Sequence, residues 1–415
     1  MDSYINYCNF FGNAAPEKLL SEYGSPLYVY NENILRNSMR NVANIVTKYP
    51  FTCNYSIKAN SNLKILKIAL EEGLNCDAMS EGEIRLLQMA GFPNDRIFYV
   101  PNNVSKEELQ FAIDNSILTS LDSIAQLELY GQLNPGGRCA IRINPGVGAG
   151  HHEKVVTAGK NTKFAIASDD LDEAISVARK YDLRIIGINQ HVGSLFMNPD
   201  AFLSSCRNIL HFAERFDRLD FIDFGGGFGV PYHKLSGEEA FDFASLTLKL
   251  TDLLDEFVDK VGYTPLFKTE PGRYVPCESA ILLGKVYSVK TNADKKYVGT
   301  DIGMNVLMRP VLYDSWHDIE VIRNNEVVLP SDKKEKVNVV GNICETGDII
   351  AKERELPIIY KDDIIAVLDA GAYGFSMSSN YNMRYRPAEV MIGSDGNPVL
   401  IRRRETFEDL IRQFT

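Results

Sequence analysis

The stretch "FTCNYSIKANSN", residues 51–62, begins as an apolar, strand-like run and ends on a lysine, Lys58, followed by a polar turn. An open, doubly wound α/β sheet carries its glycine-rich loop directly after the first strand. Here the first strand runs into "KANSN", and the glycine cluster comes much later, in "FIDFGGG" at 221–227. Further strand candidates are "NCDAMS" (75–80), "RIFYV" (96–100), "LTSLDS" (118–123), "CAIRINP" (139–145), "RIIGINQHVG" (184–193) and "LFKTEPGR" (266–273). Between these eight segments lie stretches of helical period such as "SNLKILKIALEEG", "SEGEIRLLQMAG" and "SKEELQFAIDN", several with Ser or Gly at a cap position. Eight strands alternating with helices predict a parallel (β/α)8 TIM-type barrel.

The chain has 415 residues, more than one core usually holds, so a second domain is expected. From about residue 280 the pattern changes to "AILLGKVYSVK", "KYVGTDIG", "DIEVIRNNEVVLP", "VNVVGN", "DIIAVLDAG" and "AEVMIGSDGNPVLIRRR", strand-like segments with few helical stretches between them. The fold class is therefore α/β plus β: a barrel over 27–275, and a mostly β domain formed by 276–415 with residues 1–26 packed against it. Charged residues make up 24% and hydrophobic ones 45%, a globular composition. A net charge of −11 argues against nucleic acid or an anionic membrane as partner. The seven cysteines are scattered without CxxC spacing, which predicts neither a disulfide framework nor a zinc site and suits a cytoplasmic location. The amino terminus lacks the pattern of a signal peptide, and no run of about 18 apolar residues occurs.

Catalytic groups of such barrels gather where the strands end, with phosphate commonly bound near the last two loops. Lys58 ends the first strand, His191 and Ser194 the sixth, "GGGFG" (225–229) the seventh and "EPGR" (270–273) the eighth, so all four lie on one face. Singly, each has an ordinary explanation: a solvated lysine, a core histidine, a tight turn. Jointly they form one device. Amides freed by Gly225, Gly226 and Gly227 can wrap a phosphate, a lysine amine can bond to an aldehyde, and the Glu270 carboxylate can keep a ring nitrogen protonated. Phosphate, aldehyde and pyridine nitrogen are the three handles of pyridoxal 5'-phosphate.

With "YSIKANSN", "RINPGV", "HVGS", "DFGGGFGVPY", "TEPGRYV", "DIGMNVLMRPVLYDSWHDI", "GNICETGD" and "DAGAYGFSMSSNYNMR" in this order, the chain resembles the diaminopimelate decarboxylases over nearly its full length. These are group IV decarboxylases with the alanine-racemase-like barrel. The resemblance implies that Lys58 carries the cofactor covalently, that His191 stacks on its ring and that Glu270 pairs with the ring nitrogen. It also implies that Ser194, Gly226, Gly227, the backbone of Glu270, Pro271, Gly272 and Arg273, and Tyr373 hold the phosphate. Cys344, in register with the motif that continues through Glu345, Gly347 and Asp348, is implied as the proton donor in the partner subunit's site of a homodimer. No metal is called for. Alone, Arg309 would read as a surface ion pair and Cys344 as a buried inert thiol.

Arginine suits a carboxylate because its planar fork donates two parallel bonds. By resemblance, Arg309, Tyr313 and Arg273 grip the distal carboxylate of an amino-acid substrate, Glu345 meets its distal ammonium and Tyr373 adds a contact. The implied reaction is decarboxylation of meso-2,6-diaminopimelate at its D-centre to L-lysine, the last step of lysine biosynthesis. The alternatives are a related decarboxylase of another basic amino acid (ornithine, lysine or a polyamine precursor) and a non-catalytic cofactor-binding homologue. The sequence departs from the family pattern at Leu195, at Ala165 in "KFAI" (163–166), at Tyr385 and in the loop 148–165. None of these removes a group the chemistry requires, and the loop is where substrate preference is expected to differ.

Overall fold

In the computed structural model, which describes residues 1–144, 163–329 and 333–415, the strand Phe51–Ser56 pairs in parallel with Asn75–Ala78 on one side and Leu266–Thr269 on the other. First and last strands thus meet and the sheet closes. The circuit continues through Ile97–Tyr99, Leu118–Leu121, Arg138–Asn144, Arg184–Asn189 and Phe221–Asp223, every neighbour parallel. The eight strands expected from the sequence are the eight barrel staves. A two-residue strand, Ile166–Ala167, is added on the edge of Arg138–Asn144; it is too short to leave a periodic signal. The barrel unit comprises Ser38–Val230 and Ala240–Val275.

Local chemistry starts the barrel helices where the sequence suggests. The Asn62 side chain accepts from Lys64 N–H at the head of Leu63–Glu71, the Ser80 side chain accepts from Glu83 N–H before Glu81–Ala90, and Ser105 and Glu108 cap each other reciprocally before Lys106–Asp114. Each helix presents an apolar stripe, such as Ile65, Leu66, Ile68 and Ala69, to the strands. Inside the barrel, Phe98, Val100, Ala140 and Phe221 form an apolar layer, with the Lys268 ammonium 3.9 Å above the Phe221 ring.

The second unit comprises Met1–Asn37, Pro231–Glu239 and Pro276–Thr415. Its sheet runs in the order Glu326–Val327, Ile319–Arg323, Ile364–Val367, Ala280–Asn292, Leu27–Asn31, Ala388–Ile392, Pro398–Arg402. The long strand Ala280–Asn292 pairs with Leu27–Asn31 through its first half. Past an irregularity between Val286 and Ser288 it pairs with Lys295–Thr300, which continues to Lys334–Val340 and Ile349–Pro357.

Two expectations change here. The boundary placed at residue 27 moves to 38, because Leu27–Asn31 lies between Ala280–Asn292 and Ala388–Ile392, with Leu27 and Val29 in one cluster with Ile281, Leu283, Val390 and Ile392. All five residues of that strand are buried, so it has no alternation by which to recognise it. Residues 231–239, expected in the barrel, also belong to the β unit. The strand Ile349–Pro357 was not foreseen, since its run of Lys352, Glu353, Arg354 and Glu355 hides the apolar positions.

Ala165, the departure from the family pattern noted above, has φ +70°, a conformation that disfavours side chains. Ala165→Gly is expected to stabilise the protein by about 1 kcal/mol, read as a higher thermal unfolding midpoint. An unchanged or lowered midpoint would contradict this.

Candidate active site

The parallel staves put every strand's carboxyl end on one barrel face. Just beyond the first, Lys58 sits in a one-turn helix, Ile57–Ala59. Beside it, Ser56 ties the first and eighth strands: its N–H donates to the Pro271 carbonyl at 3.1 Å, and its hydroxyl to Asp77 Oδ2 at 2.8 Å and the Glu270 carbonyl at 3.3 Å. The charge of Lys58 reaches Asp77, Glu83, His191 and Glu270. The residues expected at the strand ends are thus brought to one mouth.

Three carboxyls are buried there. Burial pushes Asp77 up to about 7, against the opposing pull of Lys58 and the Ser56 hydroxyl. It pushes Asp223 up to about 6, against the Gly225 N–H and Lys268. Glu270 rises well above the usual carboxylate range through burial first, then Asp223 and Asp77, with Lys58 and Arg142 opposing. Its Oε1 is buried and has no hydrogen-bond partner among the described residues. A protonated ring nitrogen would supply both the donor and the positive charge this carboxylate requires. His191 is held well below its normal range by burial, Lys58 and Arg142, so its ring is neutral. The Gly226 N–H donates to His191 Nδ1 at 3.4 Å, and the ring face is suited to stacking.

The glycine cluster is a close-approach device. A Cβ on Gly226 would stand 1.9 Å from the Glu270 carbonyl oxygen, and one on Gly227, where φ is +118°, would strike the Phe196 ring at 2.5 Å. Opposite, Arg273 donates to the Ser194 hydroxyl from Nη2 at 3.1 Å and Nε at 3.3 Å, joining a guanidinium and a hydroxyl at one spot. A carboxylate in need of a donor, a neutral imidazole, a lysine amine and this basic, glycine-lined corner fit the ring, the aldehyde and the phosphate of pyridoxal phosphate.

The remaining expected residues lie in the β unit. Arg309 and Tyr313 open and close one short helix, Arg309–Tyr313. Arg309 is 2% exposed, which excludes a surface ion pair. Its Nη1 is 2.7 Å from His317 Nε2, its Nη2 donates to Ser315 Oγ at 3.3 Å, and its guanidinium lies 4.7 Å over the Tyr232 ring. Cys344 is exposed, whereas five of the other cysteines are buried and Cys8 is intermediate, so the buried-thiol alternative fails. Asn382 clasps Cys344, its Nδ2 donating to Sγ at 3.1 Å and its Oδ1 accepting from the Cys344 N–H at 3.0 Å. Tyr381 donates to Glu345 Oε1 at 2.5 Å, and the carboxylate pushes the phenol up to about 12. Asp348 receives the N–H groups of Met304 and Ile343, at 2.6 and 2.7 Å, and so shapes the loop. Tyr373 has φ +57°, a left-handed conformation of the kind stored at functional sites.

Sequence reading missed Asp77, Arg142, Asp223, Tyr381, Asn382 and His317. For Arg142 and Asp77 a signal existed: a charged residue inside an otherwise apolar strand, in "CAIRINP" and "NCDAMS". Most of the divergent loop 148–165, and the end of "RINPGV", lie outside the described residues.

The family model described as the pyridoxal-binding domain of pyridoxal-dependent decarboxylases matches residues 33–276. The chain is 40% identical over 411 residues to the diaminopimelate decarboxylase of Methanothermobacter thermautotrophicus, covering 97% of this chain and 94% of that one. A crystal structure of diaminopimelate decarboxylase from M. jannaschii in complex with L-lysine superimposes with a TM-score of 0.86 at 30% identity, over 96% of this chain and 94% of the other. A lysine/ornithine decarboxylase from Vibrio vulnificus shares the fold at 19% identity, with a TM-score of 0.77 over 92% of this chain and 97% of the other.

Proposed function

We infer the activity from one premise: the chain belongs to the pyridoxal-dependent decarboxylase family. It is a carboxy-lyase that converts diaminopimelate to lysine with pyridoxal 5'-phosphate as cofactor. The finer assignment is a proposal: the substrate is meso-2,6-diaminopimelate, CO2 leaves its D-centre, and the product is L-lysine. The observation that supports it is Arg309, a guanidinium buried at the start of a helix that ends in Tyr313, the kind of fork that binding a second carboxylate would call for.

When bound, the cofactor supplies an electron sink for the bonding pair that departing CO2 leaves behind. Lys58 Nζ anchors it, and Glu270 Oε1 holds the proton on the ring nitrogen that keeps the sink deep. His191 packs its neutral face on the ring. Ser194, the amides of Gly225, Gly226 and Gly227, the Glu270–Arg273 backbone and Tyr373 take the phosphate. Arg309, Tyr313 and Arg273 bind the distal carboxylate, Glu345 the distal ammonium, and Tyr373 adds a contact. Cys344 Sγ delivers a proton to the carbon that CO2 vacates. We place Cys344 and Glu345 in the site of a second copy, in a homodimer with shared sites; their exposure on the single chain supports this. Seven scattered cysteines without CxxC spacing suit a reducing cytoplasm, and the net charge of −11 argues against a nucleic-acid partner. No helix among the described residues is long and apolar enough to cross a membrane.

The test is CO2 release from meso-diaminopimelate, its stereoisomers, D- and L-lysine and ornithine. Release from the meso isomer alone is expected. Preference for ornithine or lysine would point to a decarboxylase of another basic amino acid, and a substrate-induced absorbance change without CO2 to a non-catalytic homologue.

A further inference from the structure

The geometry around Arg309 settles the hydrogen placement on a neighbouring ring. His317, 1% exposed, sets Nδ1 2.8 Å from the Leu368 carbonyl oxygen and Nε2 2.7 Å from Arg309 Nη1. A carbonyl only accepts, so Nδ1 carries the hydrogen; a guanidinium only donates, so Nε2 offers its lone pair. The ring is the neutral Nδ1–H tautomer. Its anchor is part of the sheet, since Leu368 follows the strand Ile364–Val367 and its own N–H donates to the Asp318 carbonyl at 2.9 Å. The Tyr232 ring stands edge-on to His317, with centroids 5.3 Å apart and planes at 78°, and lies under the same guanidinium.

We propose that His317 is a positioning residue that sets the plane of the Arg309 guanidinium and thereby the affinity for the substrate's distal carboxylate. The proposal rests on the reading of Arg309 given above. A guanidinium is a rigid planar fork, so fixing Nη1 on His317, Nη2 on Ser315 and the face on Tyr232 leaves one plane in which it can meet a carboxylate. Groups held by rigid elements keep such geometry better than groups on loops. The mechanism above assigns His317 no contact with substrate; it acts through Arg309.

Two amide variants separate the two bonds of the ring. Asparagine carries its amide at the level of Nδ1 and glutamine at the level of Nε2, so His317→Asn keeps the link to Leu368 and His317→Gln keeps an acceptor for Arg309. Calorimetry on the cofactor-loaded enzyme would use L-lysine, the product that retains the distal carboxylate, and pentane-1,5-diamine, which has none. His317→Asn is expected to bind L-lysine about 10-fold or more weakly, the size of a lost hydrogen bond to a charged group. KM for diaminopimelate should rise by a similar factor, with kcat within about threefold of the parent. His317→Gln should bind L-lysine within about threefold of the parent, and the diamine should bind all three proteins alike. Unchanged L-lysine affinity in His317→Asn, or equal losses for L-lysine and the diamine, would overturn the proposal. If His317→Asn does not fold, His317→Phe takes its place with the same expectation, keeping a ring against Tyr232 but no acceptor. Arg309→Leu tells the two levels apart. Unchanged L-lysine binding in that variant defeats the reading of Arg309 and the proposal with it, whereas weaker binding there with none lost in His317→Asn defeats only the role of His317.

Discussion

Lys58→Ala is expected to release no measurable CO2 from diaminopimelate, a loss of about three orders of magnitude or more, and to lack the visible absorbance of covalently held cofactor. The lysine is the amine that follows the first barrel strand, where its charge reaches Asp77, Glu83, His191 and Glu270. The fold should survive its removal. Burial already pushes Asp77 and Glu270 upward against the opposing influence of Lys58, so without it both carboxyls bind protons more readily, which limits the cost of losing the lysine's charge. The variant should therefore keep its circular dichroism spectrum and thermal midpoint within a few degrees while losing both activity and colour. Full turnover in a folded Lys58→Ala protein would defeat the assigned chemistry.

Mixing inactive Lys58→Ala with inactive Cys344→Ala, and letting subunits exchange, is expected to restore about a quarter of the parent activity. Half of the dimers in an equal mixture are hybrids, and each hybrid assembles one site with both an intact Lys58 and an intact Cys344. Cys344→Ala alone should lose about 10²-fold or more, the usual scale for a missing proton donor. The thiol and Glu345 are both exposed and are held by Asn382 and Tyr381, and they are the groups that the proposed second copy would receive. No recovery, once exchange is demonstrated by mass-tagged subunits, would mean that each site is built within one chain.

What the sequence determined alone is what short segments carry. Eight apolar strands alternating with capped helices specify a closed barrel, because each helix must cover a strand pair and parallel neighbours need such crossovers. The strand-end residues Lys58, His191, Gly226 and Glu270 were legible for the same reason: once all strands run one way, position in a strand determines the face. Contiguous motifs supplied Cys344, Glu345 and Arg309. Only the tertiary structure decided the rest. It set Leu27–Asn31 between two strands distant in the chain, and it brought Asp77, Asp223 and Glu270 together so that burial raises all three. It also turned His317 so that a carbonyl and a guanidinium dictate its tautomer. These are properties of pairs separated in sequence. The free energy of a buried charge or hydrogen bond depends on which groups lie within a few ångströms, and proximity of that kind arises only when the chain closes on itself.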